Sequence, residues 1–250
     1  MALDSLARCS LLEWDSSFFG FPIAQLAGET LSEPSGRAVL KWCKASSVRC
    51  LYFLADPNSA ETAEWAHRLD FKFVDVRVEL SLGVGAPNIS NVQEFALRTA
   101  QASDITALRT IAREAHQDSR FFFDTNFPRA QAEELFATWI VKDCEGRADK
   151  VFIAERKNSG PLGYITCNLS KDSQTGRISL VGVAAECRGR GLGKMLVSQA
   201  LEWIRSAGAQ KVLVVTQARN VAAQRLYQAA GFRTDSVKVW YHRWFEKPSL

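Results

Sequence analysis

The sequence has little of what a metal centre needs. It contains three histidines, and its six cysteines, at positions 9, 43, 50, 144, 167 and 187, never form a CxxC pair. Zinc sites draw on closely spaced His, Cys or carboxylate ligands, so no metal is expected. Scattered cysteines also suit reduced thiols in a cytoplasmic protein better than a disulfide framework. No window reaches the ~18 consecutive apolar residues of a membrane helix. The opening MALDSLARCSLLEWDSS lacks the basic-then-apolar layout of a secretory signal. A strong excess of one charge sign is missing too. A formal net charge of +4 helps an anionic ligand approach, but the basic residues form no stripe of the kind that binds nucleic acid.

What is present is an ordinary globular composition. The 250 residues, 47% hydrophobic and 23% charged, suffice for one large domain or two small ones. The clearest break is Gly83-Val-Gly-Ala-Pro87, a Gly/Pro stretch followed by polar residues. It separates an N-terminal α/β region over 1–85 from a second domain over 96–250. In the second domain, Leu108, Ile111, Ala112 and Ala115 predict a helix capped by Ser103 or Asp104. Ala132, Leu135, Phe136 and Trp139 predict another. Between them, Asp118 to Pro128 is an aromatic loop that fits no regular pattern. Strand-like runs follow at 151–156, 163–169 and 177–184, separated by turn signals at 158–161 and 172–176. Val197, Ala200, Leu201 and Ile204 mark a helix, Lys211 to Thr216 a buried strand, and Asn220 to Gly231 a capped helix. An aromatic-rich strand over 232–245 closes the chain, and its Trp240, Tyr241, Trp244 and Phe245 suggest the edge of a homodimer.

The N-terminal region shows the same order: a strand at 51–55, a helix at 59–69 and a strand from Phe71. Placing Phe71 on Phe232 sets Val76-Arg-Val78 on Val237-Lys-Val239. This is a candidate half-copy of the C-terminal part without its glycine loop. Chance is the alternative, because strand–helix–strand is common.

The loop in question is Cys187-Arg-Gly-Arg-Gly-Leu-Gly-Lys194. A P-loop requires GxxxxGK[ST], and here Arg188 and Met195 occupy the first glycine and the hydroxyl positions. A dinucleotide loop requires GxGxxG and a later acidic residue, and this stretch reads GxGxG without one. The remaining form, R-G-x-G-x-G between strand and helix, directs helix N-terminal amides at a pyrophosphate. Arg188, Arg190 and Lys194 surround it with positive charge. Taken alone, the loop also fits a solvated basic turn.

Two motifs in order narrow the choice. Val183-Ala-Ala-Glu-Cys-Arg-Gly-Arg-Gly-Leu-Gly193 resembles the acyl-coenzyme A signature of the GCN5-related N-acetyltransferases (GNAT), and Asn220-Val-Ala-Ala-Gln-Arg-Leu-Tyr-Gln-Ala-Ala-Gly-Phe232 resembles its companion. The resemblance covers about 100 to 245. It implies an α/β, three-layer GNAT fold with a mixed central sheet and helices on both faces. It also implies an enzyme that takes acetyl-CoA as cosubstrate. Carried over position by position, it places the coenzyme arm on Val181, Gly182 and Val183, and the pyrophosphate on Arg188, Gly189, Arg190, Gly191, Leu192, Gly193 and Lys194. Asn220 then matches the residue that reaches the arm, although its cap alone explains it. Tyr227 matches the family's general acid, which protonates the departing thiolate. His116, Asp118 and Asp124 lie near the substrate loop, and none is assigned as base.

A narrower resemblance concerns the acceptor. Glu13-Trp-Asp-Ser-Ser-Phe-Phe-Gly20, Asp118-Ser-Arg-Phe121 and Trp139-Ile140 are similar to family members that acetylate the sugar amine of a dTDP-linked aminodideoxyhexose. A nucleotide sugar offers a base to stack on and phosphates to neutralise. Phe121 and Phe123 supply aromatic faces, and Arg120 and Arg129 planar cations. Other small amines, a peptide N-terminus, or a coenzyme-binding module without catalysis remain as alternatives.

Overall fold

The computed structural model describes residues 9–83, 94–156 and 160–246. The turns expected at 84–87 and 158–159 lie outside the described residues. By contacts the chain divides into two compact units, 1–77 with 237–250, and 78–236. No helix among the described residues is long and apolar enough to cross a membrane.

In the first unit, β1 (Cys9–Leu11) is followed by α1 (Glu13–Phe19), β2 (Ile23–Leu26), α2 (Glu33–Ala45), β3 (Cys50–Ala55), α3 (Ala60–Arg68) and the start of β4 (Lys72–Gly83). β2 pairs with β1 antiparallel and with β3 parallel. The last strand, β10 (Arg233–Trp244), pairs antiparallel with β3 from Val239–Ala55 to Trp244–Cys50. Its other neighbour is β4. The aromatic strand expected at a dimer edge is therefore an interior strand. Local composition shows that a segment is extended, but not who pairs with it, and here both edges are taken. Leu26, Val39, Cys43, Leu51, Phe53, Ala66 and Phe71 form this unit's core.

The second unit contains β5 (Ala96–Thr99), α4 (Ile105–Ala115), α5 (Arg120–Phe123), α6 (Arg129–Lys142), β6 (Lys150–Arg156), β7 (Gly160–Leu169), β8 (Thr175–Val183), α7 (Leu192–Ser206), β9 (Lys211–Gln217) and α8 (Val221–Ala229). Strands β5 to β8 form an antiparallel series, and β9 joins β8 in parallel, so the sheet is mixed. Adjacent strand residues face opposite sides. Tyr164 of β7 meets His116 at the end of α4, whereas a side chain at Gly163 would meet Leu196 of α7. Helices α4 and α7 thus cover opposite faces, and the fold is the expected three-layer α/β arrangement. The stripe Leu108, Ile111 and Ala112 packs on Ala132, Leu135, Phe136 and Ile140 of α6, and Met195 to Ile204 fill the other face. The aromatic stretch read as irregular contains one helical turn, α5, started by Ser119, whose carbonyl accepts from Phe122 and Phe123.

Candidate active site

The site begins where two strands part. β8 and β9 pair at Thr175–Lys211, Gly176–Val212, Arg177–Leu213 and Ile178–Val214, and not beyond. Further along, Val181, Gly182 and Val183 stay paired with Ile165, Tyr164 and Gly163 of β7. Leu180 N–H donates to Thr166 Oγ1 at 3.0 Å, and Ala184 N–H donates to the Leu162 carbonyl at 2.8 Å. Strand amides alternate sides, so those of Val181 and Val183 face the gap that β9 has left. Such an edge offers donors and acceptors to an extended, amide-bearing chain. A Cβ on Gly182 would lie 2.5 Å from the Tyr164 ring, so only glycine fits there.

Past β8 the chain makes a short turn, Ala185–Cys187, and reaches the glycine loop. Gly191, at φ 87°, is the N-cap of α7, and no side chain caps this helix. Its first amides are open, and the helix dipole adds positive potential at that end. Arg188, Gly189, Arg190 and Lys194 are exposed around it, while Leu192 is buried beneath. Arg188 turns back, its Nε donating to the Val183 carbonyl at 3.3 Å and its Nη2 to the Glu114 carbonyl at 3.2 Å. Gly193 lets α7 approach α8, since a Cβ there would stand 3.1 Å from Leu226 Cδ2. Cys187 is buried, 3% exposed, and presents no accessible thiol.

Asn220 caps α8, its Oδ1 accepting from Ala223 N–H at 2.9 Å. Two turns on, Tyr227 is buried against the edge of Phe232, with ring centroids 5.8 Å apart. Its hydroxyl has no hydrogen-bond partner among the described residues. Burial pushes the phenol above its ordinary value, which keeps it protonated at neutral pH.

The segment from 116 to 129 divides by burial. His116 Nε2 lies 2.8 Å from the Tyr164 hydroxyl, and its ring stacks on Phe136 at 4.5 Å. Burial, with the Arg188 charge, pulls its pKa down to about 4, so the imidazole is neutral. Asp124 is committed to the loop, holding Asn126 by its backbone and side-chain amides at 3.1 and 2.8 Å. Phe121, 3% exposed, packs edge-on against Phe127 and Trp139 and carries the Arg120 guanidinium on its face at 4.4 Å. Phe123 is 50% exposed, and the Arg219 guanidinium sits 4.0 Å over its ring. Arg129 is exposed and pairs with Glu133 at 3.2 Å. His116 is thus tied to the end of β8 through Tyr164, and Phe123 to the residues just past β9 through Arg219. The 116–123 segment crosses the open ends of the splayed strands. Among the described residues no three His, Cys, Asp or Glu side chains cluster as metal ligands would.

Sequence reasoning missed Tyr164 and Arg219. The first has no local signal, since its partner lies 48 residues away. Arg219 stands next to the motif asparagine, and that adjacency was the available clue.

The acetyltransferase (GNAT) family profile matches residues 107–232. A dTDP-fucosamine acetyltransferase of Escherichia coli O6:H1 is 30% identical over 93% of this chain and 96% of its own length. The chain belongs to the GNAT family. Within it, the spore coat polysaccharide biosynthesis protein SpsD of Bacillus subtilis is 30% identical over 60% of this chain and 51% of its own. A GCN5-related N-acetyltransferase from Sphaerobacter thermophilus shares the fold with a TM-score of 0.69, at 16% identity over 98% of this chain and 78% of that one. This GNAT protein is accordingly an acetyl-CoA-dependent N-acetyltransferase, and the splayed strands and open helix start fit an extended pyrophosphate-bearing cosubstrate.

Proposed function

We propose that this enzyme acetylates the sugar amine of a dTDP-linked aminodideoxyhexose by direct attack on acetyl-CoA, in the cytoplasm. The observation that carries the coenzyme half is the parting of β8 and β9 beyond Ile178 and Val214. Similarity along nearly the whole chain to a dTDP-fucosamine acetyltransferase supports the acceptor half.

Acetyl-CoA supplies an acetyl group activated as a thioester. The amides of Val181 and Val183 hold its arm, Gly182 permits the close approach, and Asn220 reaches it from α8. Arg188, Gly189, Arg190, Gly191, Leu192, Gly193 and Lys194 hold the pyrophosphate through backbone amides and charge. The neutral amine attacks the thioester carbon, the C–N bond forms and the C–S bond breaks. Tyr227 gives its proton to the departing sulfur and regains one from solvent, while the amine releases its own to water. The buried Cys187 takes no covalent part. On the acceptor side, Phe123 offers an exposed face, Arg120 and Arg129 face the phosphates, and Phe121 stiffens the loop beneath them.

Thiol release from acetyl-CoA with a panel of amines tests the proposal: dTDP- and UDP-linked amino sugars, free amino sugars, aminoglycosides and N-terminal peptides. Turnover confined to the dTDP-amino sugars is expected. Turnover on peptides or free amines alone would leave the acetyltransferase in place and remove the sugar nucleotide.

A further inference from the structure

Tyr164 is fully buried, and its hydroxyl has one polar neighbour among the described residues, His116 Nε2 at 2.8 Å. A buried phenol must donate its hydrogen to something. Were His116 protonated on Nε2, that nitrogen would donate to the phenol oxygen, and the phenol hydrogen would be left with no acceptor. Tyr164 therefore donates to Nε2, and the neutral ring carries its proton on Nδ1. No partner for Nδ1 is present among the described residues, and His116 is only partly buried, so this N–H is left to donate to a further group. The ring cannot turn freely, because Phe136 stacks against it.

One turn further on, Ser119 is 6% exposed, and its Oγ is buried with no hydrogen-bond partner among the described residues. Its backbone N–H donates to the His116 carbonyl at 3.2 Å, so the two residues share one turn. A buried hydroxyl without a partner marks a place that something else completes. Both groups lie in the segment that crosses the open ends of β8 and β9.

We infer that His116, fixed by Tyr164 as an Nδ1–H donor, and the Ser119 hydroxyl form a seat for an oxygen of the acceptor, of the kind a sugar ring hydroxyl supplies. His116 then orients the acceptor and does not deprotonate it. The sugar part of this inference rests on the acceptor proposed above, whereas the tautomer does not.

Two measurements on the full chain separate these parts. Long-range proton–nitrogen spectra of the nitrogen-15-labelled protein at pH 7 are expected to show His116 protonated on Nδ1, with that preference lost in Tyr164→Phe. A ring protonated on Nε2, or an imidazolium, overturns the assignment. For the seat, His116→Asn keeps an N–H near the Nδ1 position and His116→Gln keeps one near Nε2. With dTDP-4-amino-4,6-dideoxygalactose as the probe, His116→Asn should stay within about threefold of the parent. His116→Gln and Ser119→Ala should raise the acceptor KM roughly five- to tenfold with the acetyl-CoA KM unchanged, and Ser119→Ala should also leave the thermal midpoint unchanged. A loss in kcat of about a hundredfold in both histidine variants, with the acceptor KM unmoved, would make His116 the base and overturn the seat. Should His116→Gln fail to fold, Ser119→Ala decides, and an unchanged acceptor KM there counts against the seat. A parent enzyme that acetylates peptides but no sugar defeats both the acceptor proposal and the sugar seat, while the tautomer still stands or falls by the spectra.

Discussion

The first unit's β2, α2, β3, α3 and β4 run in the same order as β8, α7, β9, α8 and β10, and in both series the first two strands are parallel. Placing Phe71 on Phe232 also places Ser59 on Asn220, Ala66 on Tyr227 and Asp70 on Gly231. The matched residues make matched contacts. Ser59 Oγ accepts from Thr62 N–H at 3.2 Å, as Asn220 Oδ1 does from Ala223 N–H at 2.9 Å. Asp70 and Gly231 both take positive φ, 61° and 94°, at the helix end. Phe71 N–H then donates to Ala66 O at 2.9 Å, and Phe232 N–H to Tyr227 O at 3.0 Å.

Three local departures separate the two stretches. β2 stays paired with β3 through Leu26–Phe53, its last residue, whereas β8 leaves β9 after Ile178. The start of α2 is closed by its own residues, since Pro34 has no N–H and Ser35 Oγ accepts from Ser32 N–H at 2.9 Å; the start of α7 follows a glycine and is open. Where α8 presents a phenol, α3 has the fully buried Ala66. The two stretches thus share an order of elements, and the second differs by an open strand edge, an uncapped helix start and a buried phenol.

The phenol carries the largest expected effect. Under the proposed mechanism Tyr227→Phe should lower kcat by about 10²–10³ with the acetyl-CoA KM little changed, because that mechanism would lose only proton delivery to sulfur. Ala66→Tyr should add no activity. Unchanged turnover in Tyr227→Phe would erase the chemical difference between the two helices and favour a water-relayed proton.

A second contrast lies in pH. Burial holds His116 at about 4, against an unfolded value near 6.5, so the unfolded chain binds the extra proton between those limits. Stability is then complete above pH 6.5 and falls as pH drops toward 4. Between pH 7 and pH 5 the parent should lose about 2 kcal/mol more than His116→Asn, measured by denaturant unfolding at each pH. Parallel losses in both proteins would put the acid sensitivity outside this second-unit site.

The glycine loop allows a matched pair. Gly28, after β2, and Gly191, before α7, share a φ of 87°, so an alanine at either meets the same backbone strain of about 1–2 kcal/mol. Both variants should lose comparable stability in thermal unfolding. Only Gly191→Ala should raise the acetyl-CoA KM, by roughly tenfold, since Gly191 is the N-cap whose left-handed turn sets the direction of the open amides of α7. An equal rise in Gly28→Ala would mean that global softening, and not the seat, sets the affinity.

What the sequence revealed follows from range. The glycine loop and the Asn220 to Phe232 motif were legible because cap, turn and phenol lie within a few residues of one another. The helices α4, α6 and α7 were legible from their apolar stripes. Helix α2 escaped notice because its buried stripe, Gly36, Val39 and Cys43, is made of small residues. The place of β10 between two strands, the contact of His116 with Tyr164, and the stacking of Arg219 on Phe123 all join residues distant in sequence. No local pattern encodes them.

The smallest effects come from the two caps, and they test the comparison most closely. Ser59 and Asn220 each satisfy one helix-start amide, and replacing either by alanine should cost about 1 kcal/mol. If capping were their whole work, the two variants would be alike in every assay. Asn220, however, starts the helix that carries Tyr227 and stands beside Arg219, whose guanidinium covers Phe123. Asn220→Ala should therefore also raise the acetyl-CoA KM by a fewfold, while Ser59→Ala leaves it at the parent value. Thermal unfolding and thiol-release kinetics on both proteins decide the matter. Equal stability losses with equal kinetics would reduce Asn220 to a cap and leave the arm to the β8 amides alone.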